Sequence, residues 1–129
     1  MPSLLTTPIH LGLGARAEVQ PTFTGMDWYA DYATRTDEDG AEGRLVTMSR
    51  FTESWSSWEM HPHGDEVVVC LSGTMTIHQE MADGCTSTMT IGAGDYAINP
   101  PGVWHTADIN GAATALFITV GLGTAHRPR

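Results

Sequence analysis

The chain has 129 residues, 41% of them hydrophobic, enough to bury one core without disulfide staples, and a single domain is expected. Six basic residues against fifteen acidic ones leave a formal net charge of −9. That balance argues against nucleic acid and against an anionic membrane surface as partners, since both are held by clustered cations. Cys70, in an apolar run, and Cys85, in a polar loop, do not make a disulfide framework. The first residues lack a basic start and a long apolar run, so no secretory signal is read and a reducing, cytoplasmic setting is expected. No stretch is apolar for the length a bilayer-spanning helix needs.

Fourteen glycines and seven prolines point to many turns between short strands. Residues 1–25 are rich in Gly, Pro and Thr and read as a leader along a sheet edge or across to a second subunit. Residues 26–34, with Trp28, Tyr29 and Tyr32, fit a short helix or a strand equally well. Residues 36–43 (TDEDGAEG) read as an acidic, solvated turn. From Arg44 the chain alternates as strands do. Strands are expected at 44–51, 55–61, 66–71, 74–80, 86–91, 96–98, 103–108 and 113–120, with turns at 81–84 and 99–102. Even spacing of short strands predicts an all-β antiparallel sandwich or barrel. The chain thus divides into an edge segment at 1–43, a barrel at 44–120 and a tail at 121–129.

Residues 58–73 (WEMHPHGDEVVVCLSG) concentrate the chemistry: two histidines and three acidic residues within eight positions, running into an apolar strand. Strand side chains alternate with period two, so Glu59 and His61 share a face, as do Glu66, Val68 and Cys70. A hairpin here would bring His61 and Glu66 together in two alternative registers. With Gly64-Asp65 as a two-residue loop, His61, His63 and Glu66 point inward. With a four-residue turn over 62–65, Glu59, His61 and Glu66 point inward and His63 sits on the turn. Pro62, which has no backbone donor, favours the second. Two polar groups turned into an apolar barrel need a reason, and a metal ion supplies one.

A second constellation lies at residues 94–105 (GDYAINPPGVWH), where a tight bend at Pro100-Pro101-Gly102 precedes His105. Together the two stretches resemble the motifs of the cupin superfamily, in its small single-domain bacterial form. The first motif is Gly, five residues, His-x-His, three or four residues, Glu, six residues, Gly. His61, Glu66 and Gly73 match it, while Glu59 occupies the first His position and Glu53 the leading Gly. The second is Gly, five residues, Pro-x-Gly, two residues, His, three residues, Asn. Gly94, Pro100, Gly102 and His105 match; Ile109 stands at the last position, with Asn110 one residue late. The resemblance covers residues 44–120. It implies a double-stranded β-helix, or jelly-roll barrel, and a divalent metal ion (Fe2+, Mn2+, Zn2+ or Ni2+). By position the ion would be held by Glu59, His61, Glu66 and His105, with His63 the alternative to Glu59.

Imidazole and carboxylate ligands suit those ions rather than a thiolate cluster, and two carboxylates would favour Mn2+ or Fe2+ over copper. Open coordination positions on a barrel wall suit catalysis, so a metal-dependent oxygenase or isomerase/lyase acting on a small organic molecule is expected. The alternative is a non-catalytic metal- or ligand-binding cupin. Met48, Trp55, Trp58, Met75, Tyr96 and Trp104 are expected around the pocket, with Tyr96 and His78 as weak candidates for a general acid or base. Open sheet edges in so short a barrel predict a homodimer.

Overall fold

A computed structural model describes residues 1–129. Its strands are β1 (Ile9–Gly12), β2 (Arg16–Val19), β3 (Arg44–Phe51), β4 (Ser57–Met60), β5 (Glu66–Glu80), β6 (Thr86–Gly92), β7 (Tyr96–Asn99), β8 (Trp104–Thr119) and β9 (Ala125–Pro128). One helix, α1 (Asp27–Arg35), precedes β3. All nine strands belong to one antiparallel sheet rolled into a jelly-roll barrel.

The two long strands β5 and β8 form the spine. They pair from Val67 opposite Ile118 to Glu80 opposite Trp104, with irregularities between Cys70 and Ser72 and between Gly73 and Met75. β8 also pairs with β3, from Leu45 opposite Thr119 to Phe51 opposite Ala113. β5 carries β7 on its first half and β6 on its second. The expected pairs 66–71 with 74–80, and 103–108 with 113–120, are therefore two continuous strands. Gly73 explains why β5 bends without ending: its φ of +73° lies in the left-handed region, and a Cβ there would run into the Ala112 carbonyl.

Alternate residues of β5 and β8 face inward, and Val68, Cys70, Met75, Ile77, Ala107, Ile109, Ala113, Ala115 and Phe117 join Ile91 and Ala97 in one core. This core fills the closed half of the barrel. The other half stays open and is partly roofed by α1, whose Trp28 and Tyr32 lie four residues apart on one face and pack with Leu45.

Three expectations change. β4 does not form a hairpin with β5. It pairs with β8 and β9, and residues 61–65 cross from one wall of the barrel to the other. The His61 carbonyl is taken by the Gly102 amide at 3.0 Å, which leaves no ladder for a hairpin there. The tail at 121–129 carries a strand of the sheet: β9 pairs along β4, and its Pro128 sits at the end of an edge strand, where a missing donor costs nothing. The acidic segment 36–43 is not wholly solvated, because Asp39 is buried against His10 and Arg16. The leader forms the β1–β2 hairpin, which extends the sheet beyond β3.

Candidate metal centre

Four side chains meet at the bottom of the open half. Glu59 on β4 lies directly opposite His105 on β8. His61, two residues past Glu59, keeps to the same face as the chain leaves β4. Glu66 opens β5 from the facing wall, opposite Asn99 of β7. One ligand atom from each of the four lies within 4.8 Å of all the others. Glu66 approaches His61 Nε2 through Oε2 at 3.1 Å and His105 Nε2 through Oε1 at 3.2 Å. Glu59 Oε2 stands 3.8 Å from both imidazole nitrogens. His61, Glu66 and His105 are buried, and Glu59 is more open, at 29% side-chain exposure.

Surrounding groups fix how these side chains point. His61 Nδ1 is held at 2.9 Å from Thr124 Oγ1, so Nε2 is the atom turned to the centre. Glu66 accepts hydrogen bonds from Asn99 Nδ2 at 3.0 Å and Thr119 Oγ1 at 2.7 Å. Gln79 in turn donates to Asn99 Oδ1 at 2.8 Å. This outer layer orients ligands as metal sites require.

A metal ion fits this donor set on an internal criterion. His61 Nε2 and His105 Nε2 are buried, yet neither has a hydrogen-bond partner, although Glu66 oxygens lie 3.1 and 3.2 Å away. A buried polar atom without a partner is costly. Two such nitrogens converging on the same pair of carboxylates describe an imidazole–carboxylate site for a divalent ion. Electrostatics agree. Burial would raise the Glu66 carboxyl, but His105 and His61 beside it outweigh burial and hold it well below the usual carboxylate range. Burial would likewise lower His105, but Glu59 and Glu66 raise it to about 9. Positive charge is favoured at this point in the barrel.

Above the centre opens a cavity of about 780 Å³. Phe51, Trp55, Phe117 and Leu45 form its apolar wall, and Tyr29, Met26 and Ala33 of the helix region form its roof. Trp55 alone of the expected pocket residues lies on this wall. Period two places the others elsewhere. Trp58 and Trp104 neighbour Glu59 and His105 and therefore face outward, where both stack on Arg127. Met48 faces outward toward a shallow crevice with Leu4, Leu5 and Phe23. Met75 is inward but sealed in the core. Tyr96 is 65% exposed on the outer face. His78 is also outward, bonded to Asp108 at 2.7 Å and Thr88 at 3.0 Å, and neither it nor Tyr96 reaches the cavity. His63 is exposed on the crossover, away from the four-residue cluster.

One residue at the centre was not anticipated. His126 on β9 lies opposite Glu59 in the ladder, lines the cavity and brings Nε2 to 3.3 Å from Glu59 Oε1. Its signal in sequence is slight: one histidine in AHRP, a run whose proline hides the strand.

With this geometry established, comparison with known proteins is informative. Residues 52–121, more than half of the chain, match the family model for the cupin domain. The chain is a cupin. Among solved structures, this cupin resembles an uncharacterized conserved protein with a double-stranded beta-helix domain from Klebsiella pneumoniae, at 22% identity over 67% of this chain and 76% of that one, with a TM-score of 0.55. It also resembles oxalate oxidase, at 14% identity over 64% of this chain and 45% of that one, with a TM-score of 0.56. A third likeness is to hydroquinone 1,2-dioxygenase from Sphingomonas sp. TTNP3, at 15% identity over 59% and 58% of the two chains, with a TM-score of 0.51. The cupin spans about half the length of the two enzymes, and at these identities the likeness is one of fold. No curated protein matches the sequence.

Proposed function

We propose that this cupin holds one divalent metal ion with Glu59, His61, Glu66 and His105, and acts as an oxygenase or an isomerase/lyase on a small organic molecule admitted by the cavity. The observation that carries the reading is the pair of buried, unpartnered imidazole nitrogens facing two carboxylates at the floor of that cavity. When bound, the ion would supply Lewis acidity and, as Fe2+, a site for O2 chemistry. With two imidazoles and two carboxylates, Mn2+ or Fe2+ is favoured over copper. The protein's own part is positional. Thr124, Asn99 and Thr119 orient His61 and Glu66. Phe51, Trp55 and Phe117 give a substrate an apolar wall and limit water at the floor. His126 holds one oxygen of Glu59 and is the imidazole nearest the opening, placed to take or return a proton at Glu59 Oε1.

Elemental analysis of protein purified without chelator tests the metal first. About one equivalent of Mn, Fe, Zn or Ni is expected, and less than about a tenth of an equivalent would rule out the metal centre. Oxygen uptake by the iron form across small phenols, diketones and thiols then separates the oxygenase from the isomerase/lyase. A loaded protein that binds such molecules without converting any of them is a binding or sensor cupin.

A further inference from the structure

Building on the metal-centre reading, we propose that the cavity selects ligands whose arm beyond the metal-binding end is a neutral or cationic hydrogen-bond donor, and disfavours arms ending in carboxylate or phosphate. Three features of the wall argue this independently of which metal is bound.

The first is charge. Asp37, Glu59 and Glu66 line the cavity, and no arginine does. The chain has no lysine, and the arginines nearest the roof are occupied: Arg16 binds Asp39 and Glu18, and Arg35 binds Gln20 while lying over the Trp28 ring. A divalent ion offsets Glu59 and Glu66 but leaves Asp37 without a cation. A second anionic group on a ligand would find no arginine or lysine on the wall to pair with.

The second is a buried polar pole on elements separate from the metal centre. His10 of β1 is 1% exposed and joins Tyr32 of α1 to Asp39: Nδ1 lies 2.6 Å from Tyr32 Oη, and Nε2 lies 2.6 Å from Asp39 Oδ2. His10 and Tyr32 both line the cavity. Hydrogen-bond directions follow from the partners. Asp39 is held in its charged form by His10 and by Arg16, which reaches both carboxylate oxygens at 2.9 and 2.7 Å. A carboxylate only accepts, so His10 Nε2 donates to it. Whichever of Tyr32 Oη and His10 Nδ1 donates to the other, the Tyr32 oxygen keeps a lone pair for a ligand donor. An ammonium or hydroxyl group satisfies such an acceptor, and a carboxylate does not.

The third is the apolar stretch of Leu45, Phe51, Trp55 and Phe117, which suits a ring or short hydrocarbon as the middle of the ligand.

Three catechols with one chelating end and different arms test the idea: dopamine, 4-methylcatechol and 3,4-dihydroxybenzoate. Each is titrated calorimetrically into zinc-loaded protein, and its affinity is normalised to its affinity for zinc in solution. Dopamine is expected to bind about tenfold more tightly than 3,4-dihydroxybenzoate, with 4-methylcatechol between them. Tyr32→Phe keeps the ring stacked on Trp28, so zinc content should hold, while the thermal midpoint falls because His10 Nδ1 loses its buried partner. The same variant should erase the advantage of dopamine over 4-methylcatechol. Equal affinities, a preference for the carboxylate arm, or zinc-loaded protein that binds none of the three overturns the inference while leaving the metal centre intact. A protein that fails to load zinc or any other divalent ion removes both readings.

Discussion

At the scale of single residues, Glu59 carries most of the chemistry that distinguishes this centre. It occupies the position where the cupin motif has its first histidine, and its two oxygens face different ways: Oε2 toward His61 and His105, Oε1 toward His126. His126 thus lies on the side of Glu59 away from His61 and His105. Truncating it as His126→Ala is expected to weaken metal affinity about tenfold, with His126→Gln recovering part of the loss through its amide donor. Competition with a chelator measures both. Without metal, the centre should also have a distinctive pH response. The folded-state pKa of His105 is raised from 6.5 to about 9, so its stabilising contribution is complete below pH 6.5 and lost as pH rises through 9. Glu66 is lowered from 4.5, so its contribution is present above pH 4.5 and lost as pH falls toward its depressed value. Metal-free protein is therefore expected to melt at progressively lower temperature between pH 6.5 and 9. The loss should be at most about 3 kcal/mol, and His105→Gln should flatten that limb. Metal-loaded protein, with His105 already deprotonated, should not show it. A flat alkaline limb in the metal-free protein would remove the proton assigned to His105.

At the scale of elements, the strand bends are sharper determinants than the strand ends. Gly73 and Gly111 both have positive φ, +73° and +83°, at points where β5 and β8 bend while remaining one strand each. An alanine at either position meets a left-handed backbone cost of about 1–2 kcal/mol. Only at Gly73 does the new methyl also meet backbone, at Ala112; at Gly111 the space is open. Gly73→Ala is thus expected to lower the thermal midpoint well beyond Gly111→Ala, and similar losses in both would mean that the contact with Ala112 is not what matters. The same elements explain what could be read from sequence. Alternation exposed β3, β6 and the inward faces of β5, because a barrel wall buries every second residue. Glu59, His61, Glu66 and His105 could be grouped because motif spacing reflects the bends that bring them together. The partner of β4 could not be read, because an antiparallel hairpin and a crossover to the opposite wall leave the same local pattern in HPHGD. His126 and the polar pole of His10, Tyr32 and Asp39 were equally hidden. Each depends on contacts between segments far apart in the chain, with no spacing rule to connect them.

At the scale of the whole molecule, the expectation of a partner subunit rested on uncovered sheet edges, and the leader changes that argument. The β1–β2 hairpin adds itself to β3, so that edge is extended within the chain. Besides the sheet edges at β2 and β9, a face remains unpartnered. On the outside of the β7–β5–β8 sheet, Tyr96, Ile98 and Leu71 are 65%, 48% and 42% exposed, with Val67, Val69, Leu116 and Ile118 half-buried between them. Tyr96 lies opposite Val69 and Ile98 opposite Val67, while Leu116 and Ile118 lie opposite Val69 and Val67 on the other side, so the apolar residues form one continuous stripe. Contiguous exposed apolar surface on a chain of net charge −9 needs cover, since charge repulsion keeps molecules apart everywhere else. A second copy meeting it around a two-fold axis would bury a self-complementary patch, and a standard interface of about 800 Å² per subunit is within reach of seven such side chains and their rim. A homodimer is therefore expected by light scattering. Ile98→Asp should convert it to a monomer, because it places two like charges in a dry interface. Glu66 and His105 of the candidate metal centre lie on the opposite face of β5 and β8, so the variant should keep any metal content of the wild type. A wild-type monomer would remove the dimer, and a dimer that survives Ile98→Asp would place the interface elsewhere on the barrel.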